Sequence, residues 1–181
     1  MKQERMKQEL AWSHPLVVAD LPPEGAVLKL VPGEKERAAL AHYTGVLAVP
    51  ALVADVKVTP DGQGGVVVEG DLVATVRQTC VVSLEPFDNA VNEHIALRFL
   101  PPSAAASAAE DDGDERDPAD VISGGVVDLG MLVAEFLALG VDPYPRRPGA
   151  VFAPPTAAAG EEASSPFAAL AKLKQKGRQG D

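Results

Sequence analysis

The chain contains one cysteine, Cys80, in 181 residues. A lone thiol cannot close an intrachain disulfide, and it cannot supply the several thiolates of a zinc site within one chain. Positive charge is also scarce. Sixteen Lys and Arg against 26 Asp and Glu give a formal net charge of -10 and a pI of about 4.7. Recognition of a phosphate backbone is mostly cation-driven, so any RNA contact would have to come from a local basic patch or through a protein partner. Long apolar runs are missing as well. The longest, Val46 to Ala54, is interrupted by Pro50 and falls far short of a membrane span. The charged start, Met1 to Lys7, is followed by no apolar signal core. These absences predict a cytoplasmic, reducing environment and no membrane partner.

What is present reads as one domain with tails. Residues 1–12 form a charged lead-in, and residues 13–152 a single α+β domain. Leu16-Val17-Val18 and Ala26 to Val31 predict two short strands. Glu34 to Tyr43 predicts a helix, with Glu34 and Glu36 in its first turn and Gly45 at its stop. Leu52 to Thr59, Val66 to Thr79 and Asn92 to Phe99 alternate with period two, Gly70 marking an expected bulge. Their spacing favours an antiparallel sheet over βαβ crossovers. Gly62-Gln63-Gly64-Gly65 leads into valines rather than into a helix, so it predicts a hairpin turn and not a phosphate loop.

Residues 101–120 begin as an Ala-Ser tract and become acidic through Glu110 to Glu115. This composition predicts a mobile acidic loop. Val126 to Gly140 predicts the strongest helix. Asp128 is its expected N-cap, and Leu129, Leu132, Val133, Phe136 and Leu137 make one apolar stripe. Residues 153–164 read as a linker. Residues 165–181 read as a short basic amphipathic helix capped by Ser165-Pro166. The expected fold is a mostly antiparallel sheet covered by one or two helices, with the acidic loop and the short C-terminal helix as its mobile parts.

Three separated blocks carry a family resemblance. The first is Thr79-Cys80-Val81-Val82-Ser83-Leu84-Glu85-Pro86-Phe87. The second is Val127-Asp128-Leu129-Gly130 with its exit Asp142-Pro143-Tyr144-Pro145. The third is Ser165-Pro166-Phe167 through Leu173-Lys174. Together and in this order they resemble the YceD family, the large ribosomal RNA subunit accumulation proteins, over roughly residues 19–176. The Pro145-Arg146-Arg147-Pro148 version is similar to its alphaproteobacterial branch. Relatives usually run Cys-x-x-Cys in the first block, whereas this chain has Ser83 at the second position. The resemblance implies a non-enzymatic factor supporting accumulation or processing of large-subunit (23S) ribosomal RNA.

The residues themselves offer no catalytic constellation. A nucleophilic Cys or Ser needs a positioned base and an orienting group. His14, His42 and His94 sit in no such motif. Ser83, Glu85 and the distant His94 are a poor ligand set around Cys80, so no metal, cofactor or small-molecule substrate is expected. The candidate contact residues are Arg146, Arg147, Lys172, Lys174 and Lys176, with Cys80, Glu85 and Phe87 as a second surface. Guanidinium suits phosphate or carboxylate, and a ring such as Phe87 suits either a stacked base or core packing. The partner that the resemblance implies is large-subunit ribosomal RNA or its precursor, or a ribosomal or assembly protein. The alternative is a protein-interaction adaptor that docks its C-terminal helix in a groove without touching RNA.

Overall fold

In the computed structural model the described residues are 11–109 and 119–152. The chain divides into two units, residues 1–148 and 149–181, and every described helix and strand belongs to the first. The acidic run at 110–118, the linker at 153–164 and the C-terminal helix with Lys172, Lys174 and Lys176 lie outside the described residues.

Three long strands form the framework: β3 (Ala48–Pro60), β4 (Val66–Thr79) and β5 (Pro86–Leu100). They run antiparallel to one another. β2 (Ala26–Leu30) flanks β3, and β6 (Asp120–Val121) pairs in parallel with the end of β5, so the order is β2-β3-β4-β5-β6. The fold is α+β with a mostly antiparallel sheet, as the alternation predicts. Val56, Val58, Val66, Val68, Leu72, Val76 and Ile95 turn to one face and are buried. Asp55, Lys57, Glu69, Asp71 and His94 turn to the other and are exposed. A slip of one residue would invert the faces, so burial itself fixes the register.

The expected bulge is not at Gly70. β4 runs through Gly70 in register, opposite Val56 and Ile95. The irregularity falls in β3 between Ala48 and Ala51, around Pro50, which cannot donate to a ladder. Gly70 serves close approach instead, because a Cβ there would collide with the Asp55 carbonyl oxygen. The Pro60–Gly65 segment is a hairpin turn. Asp61 Oδ1 accepts from the N–H groups of Gln63 and Gly65, both at 2.9 Å.

Two helices cover the apolar face. α1 (Glu34–Thr44) opens with the Glu36 carboxylate accepting from Gly33 N–H and ends at Gly45, in the left-handed region at φ 72°. α3 (Leu129–Gly140) starts later than its apolar pattern suggests. Val126–Asp128 form β7 instead and pair antiparallel with β1 (Pro15–Val17). A partner strand distant in sequence wins over local helix propensity there. The stretch expected as a loop also begins otherwise. Pro102–Ala109 form the short helix α2, with Pro102 at its first position and alanine, the best helix former, throughout.

Asp128 joins the first strand to α3. Its Oδ1 accepts from His14 N–H at 2.8 Å, Gly130 N–H at 3.0 Å and Met131 N–H at 3.1 Å, while Oδ2 accepts from the Ser13 hydroxyl at 2.6 Å. Burial pushes this carboxyl up. The donors from Ser13, His14, Met131 and Gly130 outweigh it and hold the group below its ordinary 3.8. A carboxyl with a depressed folded pKa contributes stability above its unfolded pKa and loses it as pH falls through the folded value. Asp128→Ala is expected to cost about 1–2 kcal/mol at neutral pH. Urea titrations across a pH series should show that deficit shrinking as pH drops below 3.8. Gly70→Ala should cost about 1–3 kcal/mol in the same assay, through overpacking against the neighbouring strand.

Candidate functional site

The β4–β5 connection, Cys80 to Glu85, caps one end of the sheet. It closes with Cys80 N–H donating to the Glu85 carbonyl and Leu84 N–H to the Cys80 carbonyl, both at 2.9 Å. The chain leaving α3 returns to this turn. Val81 N–H donates to the Pro145 carbonyl at 2.9 Å, and Arg147 N–H reaches Cys80 Sγ at 3.3 Å. Beneath them, buried Gln78 donates through Nε2 to the Asp142 carbonyl at 2.8 Å and accepts at Oε1 from Asn89 at 3.3 Å. Two segments more than 60 residues apart thus form one site.

Cys80 is fully buried, yet its surroundings favour the thiolate. The Ser83 hydroxyl, buried and without a hydrogen-bond partner among the described residues, is the strongest influence. The N–H groups of Ser83, at 3.4 Å, and of Arg147 add to it. They outweigh burial and bring the thiol from 9.0 to about 6. The groups around sulfur are hydrogen-bond donors and not metal ligands, so the sulfur here works as an acceptor that ties two segments together.

The rim is exposed and mixed. Arg147 Nη1 pairs with Glu85 Oε2 at 2.8 Å, both groups being half in solvent, so the pair is worth less than ~1 kcal/mol. Arg146 is exposed and forms no ion pair with any described residue. Val81, Leu84 and Tyr144 present apolar surface, Leu84 being 75% and Tyr144 73% exposed. Leu84 has φ 59°, the one described non-glycine residue with positive φ. A bulky residue in that region is strained by about 1–2 kcal/mol.

Among the residues singled out from sequence, Cys80, Glu85, Arg146 and Arg147 meet at this end. Phe87 stands beside them, half-buried on the helix-covered face opposite Gln78. Lys172, Lys174 and Lys176 lie outside the described residues. Sequence reasoning missed Gln78, Leu84 and Tyr144. Gln78 had a signal: it follows Ala74 and Val76 at an inward position of the alternation, where a polar side chain has to find a buried partner.

A family model described as the large ribosomal RNA subunit accumulation protein YceD matches residues 68–174, more than half of the chain. The chain belongs to the YceD family. The match begins inside β4, further along than the roughly residue 19 reached by the motifs, and it takes in the Cys80 turn, α3 and its exit. No curated protein and no solved structure matches the chain. No described helix is long and apolar enough to cross a membrane.

Cys80 gives a pH prediction. A thiol lowered to about 6 contributes stability above its unfolded pKa, near 9.0, and loses it as pH falls through 6. Wild-type stability relative to Cys80→Ala should therefore rise between pH 6 and 9. Ser83→Ala should shift the thiolate absorbance titration back toward 9.0. An unshifted midpoint in that variant would rule out the hydroxyl as the main cause.

Proposed function

We propose that this chain supports the accumulation of large-subunit ribosomal RNA as a non-enzymatic assembly factor, and that it acts by holding a protein of the precursor particle at the Cys80 turn. Family membership supports the process. Leu84 supports the mode of action. A leucine that is 75% exposed in a strained backbone region contributes nothing to the core, and its use is contact with something else. Val81 and Tyr144 extend that apolar surface, and Arg146, which forms no ion pair among the described residues, supplies a charge at its edge. The electrostatics favour a protein over bare phosphate. Arg147 is paired with Glu85, Arg77 is paired with Asp88 at 2.7 Å, and the whole chain is acidic.

Leu84→Asn tests this reading, because Asn tolerates positive φ while removing the apolar side chain. The purified variant should be as stable as wild type to within about 1 kcal/mol. In cells whose only copy carries it, the ratio of large- to small-subunit ribosomal RNA should fall toward that of cells lacking the protein. A normal ratio with both Leu84→Asn and Tyr144→Ser would remove the turn from the mechanism. A loss that follows Arg146→Ala alone, together with steep salt dependence of RNA retention, would favour direct phosphate contact.

A further inference from the structure

Among the described residues β5 carries an open edge. β4 pairs with it from Pro86 to Phe99 without a register shift, whereas β6 pairs only with Phe99 and Leu100 on the other side. Leu100 shows which groups face outward. Its carbonyl accepts from Ile122 N–H at 2.8 Å on the β6 side. In a regular strand alternate residues point their N–H and C=O to the same edge. Asp88, Ala90, Asn92, His94 and Ala96 therefore turn theirs away from β4, and among the described residues nothing bonds to those groups. Their side chains are exposed. Between Pro86 and Leu100 there is no proline and no lysine to blunt the edge, and the one charge on the inward face is the carboxylate of Glu93. The opposite edge, β2, is only five residues long and carries Lys29.

The floor beside this edge is acidic. A cleft of about 630 Å³ separates the β5–β6 end from the flank of α3 that carries Leu132 and Glu135. Leu139 follows on that flank at helical spacing and is 78% exposed. Further along, the Glu93 carboxylate lies against Gly140, the last residue of α3. Glu93, Glu135 and Asp120 form no ion pair with any described residue.

We propose that the open edge of β5 accepts an extended, basic polypeptide segment as an added antiparallel strand, with lysine or arginine at alternate positions facing Glu93 and Glu135. β6 occupies the first rungs of that edge, so the edge already takes a strand. Main-chain hydrogen bonds would hold the segment and the carboxylates would select its charge. The edge continues from Pro86, directly after the Cys80 turn. The inference thus deepens the protein-partner reading and rests on it only for the partner's cellular role.

Amide hydrogen exchange on the purified full chain tests it, independently of ribosomal RNA levels. The probe is a synthetic peptide of alternating Lys and Thr. Its control keeps the lysines and replaces each Thr, the position whose N–H would meet β5, with Pro. In the free chain the amides of Ala90, Asn92, His94 and Ala96 should exchange fast, while those of Val91 and Ile95 stay protected. The Lys-Thr peptide should protect the first set and the control should not. Ala96→Pro removes one outward N–H and leaves the β4 ladder intact, and it should weaken the peptide by about tenfold. Glu135→Lys, an exposed change, should weaken it too. Retained protection of Val91 and Ile95 certifies that either variant is folded. Absence of binding, or equal binding of the control, overturns strand addition. So does protection in the free chain, which assigns the edge to residues 110–118 if independent of concentration, and to a second copy if it rises with concentration and a doubled mass.

Discussion

The structure depends on one constraint: the β3–β4–β5 meander is apolar on a single face. Strand side chains alternate strictly, so burying Val56, Val68, Leu72 and Ile95 together leaves one register for all three strands. A single apolar face also needs a cover, which α1 and the apolar stripe of α3 provide. The same geometry leaves two features that the core does not use. One is the turn at the end of the β4–β5 hairpin, and the other is the outward edge of β5.

The turn is where the chain invests polar interactions. Gln78 reaches the Asp142 carbonyl, Val81 the Pro145 carbonyl, and Cys80 sulfur receives the Arg147 amide. Buried polar groups require partners, and here each of these three bonds crosses to the other segment, so neither forms the site alone. Lone-cysteine chemistry follows from this placement. A fully buried sulfur that accepts the Ser83 and Arg147 N–H groups serves as an anchor for backbone and not as an exposed nucleophile. With the frame held in this way, the strained Leu84 and exposed Tyr144 stay presented to solvent.

Much of this was legible in advance, and for local reasons. The bounds of α1 follow from Glu36 and Gly45, the β3–β4 hairpin from Asp61 and its glycines, and the α3 cap from Asp128. Each signal sits within a few residues of what it specifies. Two of the misses are of the opposite kind. Val126–Asp128 became a strand because Pro15–Val17 lay alongside. Gly70 looked like a bulge because its actual reason, the Asp55 carbonyl, is on another strand. The third is local: Pro102–Ala109 is helical through the propensity of its own alanines, a signal that the composition of the whole 101–120 stretch masks.

By itself the sequence determined the α+β class, the apolar face of each strand and helix, the family blocks and the acidity that disfavours bare phosphate. These follow from periodicity, capping chemistry and charge, which are properties of neighbouring residues. Only the tertiary structure decided that the Cys80 turn and the α3 exit meet, that Arg147 pairs with Glu85, and that among the described residues Arg146 has no ion pair and the β5 edge is open. Those outcomes depend on which distant backbone groups find partners and which do not, and no local pattern encodes that.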